Sequence, residues 1–139
     1  MKFSCQGTDL AKALWSACTV IKSRNTIPVL DCVRIEAKGD KLLVSATDLD
    51  TFVTIKVDAA VSEDGAALID AKVARGLVRQ GHAAFETDGD CLVFRGASSS
   101  ARLLTQPLED YPLLKKSAGA APIKATVQDI LDCMVFAAT

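Results

Sequence analysis

The fold is decided by the stretch IEAKGDKLLV, residues 35–44, in which two apolar segments flank a Gly-Asp turn. A glycine and an aspartate between two such segments are typical of a β-hairpin with a short loop. The stretch FETDGDCLVF, residues 85–94, repeats the pattern with its turn fifty positions further along. Because the two hairpins align without a gap, the sequence predicts an internal repeat.

A helix is predicted ahead of each hairpin. Thr8-Asp9 precedes a helix expected over residues 10–21, and Asp70 precedes one expected over residues 71–79. These residue types accept hydrogen bonds from the free N–H groups at the start of a helix. The run TVQD, residues 126–129, has the spacing of a capping box and precedes an apolar helical run. A unit of about sixty residues therefore begins three times.

The order of these elements predicts an α+β fold made of two β-α-β-β-β units, with both helices on one face of antiparallel sheets. The strands expected in the first unit cover residues 2–6, 32–37, 41–47 and 52–57. Those expected in the second unit cover residues 66–69, 83–87, 91–95 and 101–105.

The repeats also suggest where domains begin and end. We expect residues 1–120 to form one domain with two internal repeats, and residues 121–139 to supply the opening strand and helix of a second domain. The expected strand covers residues 123–125, after a segment of linker composition at residues 115–121. Since no hairpin follows to bury the apolar side of this last helix, we expect the second domain to be truncated.

The composition narrows the class of protein. Half of the 139 residues are hydrophobic and 24% are charged, which is typical of a folded chain. No apolar run approaches the roughly 20 residues that cross a bilayer, and no signal-peptide pattern is present, so we expect a soluble, cytoplasmic protein without a membrane partner. Sixteen Lys and Arg against 17 Asp and Glu give a net charge of −1, so any contact with nucleic acid must use a local patch.

No catalytic, metal or cofactor site is predicted. The five cysteines contain no C-x-x-C pair and are interpreted as reduced core residues, and a single histidine leaves a zinc site with too few ligands. Asp48 and Asp50 are interpreted as turn formers, because two carboxylates in one turn lack the further ligands of a metal site. His82 and Cys91 could pair as base and nucleophile, but no oxyanion-hole motif accompanies them. We therefore expect no enzyme activity.

Cationic side chains collect on and beside the predicted helices. A helical wheel places Lys72, Arg75 and Arg79 within roughly 60° of one another, opposite an apolar side. Lys22-Ser23-Arg24 follows the first helix, and Lys12 lies on its polar side. A solvated face without function would explain either helix alone. Two such clusters on a nearly neutral chain favour a segregated basic surface.

Four stretches resemble one protein family. They are MKF at residues 1–3, SRNTIPVL at 23–30, SATDLD at 45–50 and QPLEDYP at 106–112. Together they resemble the first domain of the bacterial sliding clamp, the β subunit of DNA polymerase III, in register over residues 1–114. Residues 123–139 are similar to the start of that family's second domain. The R-x-T-x-P-x-L segment followed by A-T-D-L is the specific part of the match.

The resemblance implies a non-catalytic processivity factor of the replicative DNA polymerase. In that family, repeated domains form a homodimeric ring that encircles duplex DNA without reading its sequence, with helices lining the hole and sheets outside. The polymerase and the clamp loader bind parts of the protein that are absent here. By position, Arg24 matches a DNA-contacting arginine, and Lys72, Arg79 and Lys12 match further positions on the helices. Arg75 stands where the family usually has an apolar residue and is included from the wheel alone.

Two further departures from the family pattern keep an alternative open. The stretch at residues 80–85 is shorter than usual, and ASSSA at residues 97–101 replaces a segment that is ordinarily rich in arginine. The alternative is a clamp-derived protein-interaction module without DNA contact. Replacing the basic residues would weaken DNA retention only in a clamp.

Overall fold

The computed structural model describes residues 1–77, 81–113 and 124–138. The strands are β1 (Lys2–Gln6), β2 (Cys32–Lys38), β3 (Lys41–Thr47), β4 (Phe52–Asp58), β5 (Ala60–Glu63), β6 (Gly65–Asp70), β7 (His82–Asp88), β8 (Cys91–Arg95) and β9 (Ser100–Leu104). The helices are α1 (Gly7–Ala17), α2 (Ala71–Leu77) and α3 (Val127–Ala138). Short 3₁₀ turns occupy Cys18–Val20, Pro28–Asp31 and Leu108–Asp110.

All eight strands predicted for the two repeat units are present, with bounds within one residue of the prediction. The two repeated hairpins are β2–β3 and β7–β8, and each has a two-residue loop that begins with glycine. Gly39 and Gly89 adopt φ values of 64° and 58°, a left-handed conformation that glycine reaches without a steric cost. β5 is an additional strand that the sequence analysis missed.

The strands form two antiparallel sheets in which the two repeat units exchange their opening strands. One sheet has the order β5-β1-β7-β8-β9, and the other has the order β4-β3-β2-β6. β1 pairs with β7, so that Phe3 lies opposite Phe85, and β6 pairs with β2, so that Leu68 lies opposite Arg34. Each unit therefore completes the sheet of the other.

The inner faces of both sheets share one hydrophobic core with the helices. Phe3 stacks on Phe85 with ring centroids 5.0 Å apart, and Phe85 lies 5.1 Å from Phe94. Leu10 and Leu14, one turn apart on α1, are fully buried in the same core. Burial of each such side chain stabilises the fold by about 1.5–3 kcal/mol. Because α1 packs on β3 and β4 while α2 packs on β2 and β6, both helices lie on the same side of the four-stranded sheet.

The helix starts differ in how well they follow the predicted caps. Asp70 caps α2 as predicted, since its Oδ1 accepts the N–H of Lys72 at 2.9 Å and of Val73 at 3.0 Å. The prediction for α1 was wrong: the helix begins at Gly7, without a side-chain cap. The Gly7 N–H donates instead to the carbonyl oxygen of Gly81 at 2.6 Å, a contact between distant parts of the chain.

The last described helix, α3, has no buried residue. The Thr126 hydroxyl accepts the Asp129 N–H at 3.1 Å, and the Asp129 carboxylate accepts the Thr126 N–H at 2.8 Å, which confirms the predicted reciprocal cap. Lys124 and Ala125 form no strand, and residue 123 of the predicted strand lies outside the described residues. The assignment of residues 121–139 to a second domain stays a prediction.

Candidate nucleic-acid interface

Helix α2 presents part of the predicted basic face. Ala71 and Ala74 are buried against the core, whereas Lys72 and Arg75 are exposed. Residues three positions apart lie on the same side of a helix, so the two cations are neighbours at the surface. Arg79, the third predicted member of this face, lies outside the described residues.

Arg75 lies where α2 meets the end of α1. Burial raises the pKa of the Cys18 thiol, and the positive charge of the nearby Arg75 opposes that shift. The side chain is nevertheless exposed, as the helical wheel predicts and the family pattern does not. Arg75 therefore belongs to the outer surface of the helix pair.

Lys12 occupies a different part of α1. Its exposed side chain lines a shallow cleft of about 300 Å³ between α1 and β4. Lys56 lines the same cleft, and Asp9 and Asp58 contribute two carboxylates. The surface around Lys12 therefore carries both signs of charge.

Arg24 lies in the irregular segment between α1 and β2. Asn25 anchors this segment, because its Nδ2 donates to the carbonyl oxygen of Lys22 at 3.2 Å and to Oδ1 of Asp31 at 2.6 Å. Arg24 is exposed beside this anchor. Its guanidinium therefore projects from a fixed turn and not from a loose loop.

The cations on the strands differ in their ion pairing from those on the helices and in the segment after α1. Most strand cations form ion pairs, namely Lys2–Glu86, Arg34–Glu36, Lys41–Asp58, Arg95–Glu86 and Arg102–Asp88. By contrast, no ion pair joins Lys12, Arg24, Lys72 or Arg75 to another residue of the described ranges. An unpaired cation can bind a phosphate without first losing an internal partner. These four cations are therefore better suited than the paired strand cations to contact a polyanion.

The structure rules out the nucleophile–base pair that the sequence left open. Cys91 lies opposite Asp88 beside the β7–β8 turn, whereas His82 begins β7 at the other end. Because β7 is a strand of seven residues, its ends lie roughly 20 Å apart. Within residues 1–77, 81–113 and 124–138, no three His, Cys, Asp or Glu residues are grouped to hold a metal. No helix in these ranges is long and apolar enough to cross a membrane.

Two antiparallel sheets that exchange their opening strands, with a pair of helices packed on them, are the fold of a known family. Residues 1–115 match the family described as DNA polymerase III beta subunit, N-terminal domain. The chain belongs to this family. The α+β clamp fold predicted from the sequence is confirmed.

Individual clamps agree with this assignment. The chain is 28% identical to the beta sliding clamp of Caulobacter vibrioides over 137 residues, which cover 94% of this chain and 37% of that protein. It is 30% identical to the beta sliding clamp of Haemophilus influenzae over 119 residues, or 82% and 32% of the two chains. The solved structure of Caulobacter crescentus pol III beta aligns with a TM-score of 0.84 at 27% identity, over 94% of this chain and 36% of that one. The chain thus spans about a third of the length of the curated clamps it matches.

Proposed function

We propose that the protein carrying this domain is the processivity factor of a replicative DNA polymerase. It forms a homodimeric ring that encircles duplex DNA in the cytoplasm, slides along it and tethers the polymerase. It is a non-catalytic subunit, and the polymerase and the clamp loader bind parts of the protein outside this chain. Membership of the DNA polymerase III beta subunit family supports this proposal, as do curated relatives that are named beta sliding clamps.

The unpaired cations on the helical side carry the proposal at the level of residues. A protein that slides needs weak contacts that do not depend on sequence, and phosphates offer such contacts because they carry no base information. Arg24, Lys72 and Arg75 are exposed and form no ion pair with another described residue. With Lys12, and with Arg79 beyond the described ranges, they are the proposed DNA-contacting set.

Salt dependence of DNA association tests this assignment. Arg24→Ala and Lys72→Ala in the full-length protein should each make the negative slope of log K against log salt less steep by about one unit. The change should be equal on unrelated duplex sequences. Lys38→Ala is the matched control, since Lys38 is an exposed cation at the β2–β3 turn, away from the helices. Unchanged slopes for both Arg24→Ala and Lys72→Ala would contradict the assignment and favour the interaction-module alternative.

A further inference from the structure

Lys22 differs from the other cations beside the helices because two carboxylates hold its ammonium group. Its Nζ lies 3.3 Å from Oδ2 of Asp48 and 3.9 Å from Oδ2 of Asp50. The Asp48 side chain is 13% exposed, against 58% for Lys22, so the acid is embedded and the lysine reaches down to it. Two residues further along, Arg24 forms no ion pair with another described residue.

The carboxylate of Asp48 is held by the β3–β4 turn. Its Oδ1 accepts the N–H of Thr51 at 2.7 Å and of Asp50 at 3.2 Å. The Thr51 N–H is the largest influence that keeps the pKa of Asp48 below its ordinary value, and Lys22 adds to it. Asp48 is therefore ionised at neutral pH and fixed in place.

Buried Thr47 makes the same turn rigid. Its hydroxyl donates to the carbonyl oxygen of Thr51 at 2.8 Å and accepts the N–H of Leu49 at 3.0 Å. These bonds hold Leu49 at a φ of 79°, a region that leucine rarely adopts. A turn constrained in this way keeps the backbone that carries Asp48 and Asp50 in place beside Lys22.

We propose that Asp48 and Asp50 withhold Lys22 from DNA, so that the segment after α1 makes one phosphate contact, through Arg24, instead of two. The inference rests on the proposed function and deepens it, because it assigns a role to two acids beside the segment that carries Arg24. Each additional phosphate contact steepens the salt dependence by about 0.9 and strengthens retention. Cancelling one cation keeps the contact weak enough for movement along the duplex.

Replacing Lys22 is the first test. Lys22→Ala in the full-length protein should leave the salt slope of DNA association unchanged, whereas Arg24→Ala should make that slope less steep by about one unit. Because Lys22 is exposed, this variant is expected to fold. An equal loss of slope at Lys22 and Arg24 would show that Lys22 contacts DNA and would overturn the inference while leaving the proposed function intact.

Releasing Lys22 is the second test. In the double variant Asp48→Asn/Asp50→Asn, the amide oxygen of residue 48 can still accept the two turn N–H groups, but neither residue carries a charge. The salt slope should become steeper by about one unit, and adding Lys22→Ala should remove that gain. Asp88→Asn is the matched control, because it neutralises an acid that pairs with Arg102 on the five-stranded sheet at 2.9 Å, and it should leave the slope unchanged.

The outcomes separate the two hypotheses. A double variant with unchanged thermal stability and an unchanged slope overturns the inference. The inference is also overturned if the steeper slope persists after Lys22→Ala is added. The two acids would then act on DNA through the overall electrostatic field of the protein and not through Lys22. If Arg24→Ala and Lys72→Ala both leave the slope unchanged, the proposed function itself fails.

Discussion

The stacked rings of Phe3 and Phe85 test the exchange of opening strands, because one comes from each repeat unit. The side chains are 2% and 3% exposed, and their centroids lie 5.0 Å apart. Replacing either by alanine would cost about 3–5 kcal/mol of an unfolding free energy that is about 5–15 kcal/mol for a typical domain. Leucine is the better substitution, since it keeps most of the volume and removes the ring.

A double-mutant cycle of Phe3→Leu and Phe85→Leu should give a coupling free energy of about 0.5–1.5 kcal/mol, the value expected for an aromatic pair beyond its burial. Urea denaturation followed by circular dichroism measures each free energy of unfolding. Leu104→Ala is the control, because Leu104 is 75% exposed on an edge strand and should change stability by less than about 0.5 kcal/mol. Strictly additive effects of the two leucine substitutions would contradict the direct stacking of Phe3 on Phe85 across the exchanged strands.

Three further predictions concern single side chains. Asp70→Ala should cost about 1 kcal/mol of unfolding free energy, because two N–H groups of α2 lose their cap, and loss within error of zero in urea denaturation would contradict the cap. Burial raises the pKa of the Cys5 and Cys32 thiols to about 11, so a thiol reagent at pH 8 should modify exposed Cys133 far sooner than either. Burial likewise raises the pKa of Tyr111 to about 12 from 10. Since its neutral form is favoured when folded, stability should fall as pH rises from 10 towards 12, and ultraviolet absorbance should show no phenolate below that range in folded protein.

Elements that depend on neighbouring residues were predicted well. Alternating apolar positions and a Gly-Asp turn specify a hairpin locally, which is why the strands predicted for the two repeat units agree with the structure to within one residue. The cap at Asp70 is equally local, since donor and acceptor lie two or three positions apart. The exposure of Lys72 and Arg75 follows from helical spacing alone.

Contacts between distant residues were not predicted. β5 was missed because it changes sheets: it follows β4 in the chain but pairs with β1 in the other sheet. The start of α1 was misplaced because its first N–H bonds to the carbonyl oxygen of Gly81. No sequence pattern within β5 or at the start of α1 indicates a partner so distant in the chain.

The features of the candidate DNA-contacting surface also fall into two groups, those set by local sequence and those set by contacts between distant residues. The sequence by itself determined that Lys72 and Arg75 share one side of their helix, because helical period and residue type are enough to show it. Only the tertiary structure decided that Lys22 is paired and Arg24 is not, since that depends on the β3–β4 turn bringing Asp48 to within 3.3 Å of the Lys22 ammonium. Coulomb interactions act through space and fall with distance, so charge separated by 26 positions in the chain becomes a partner only once the fold has formed.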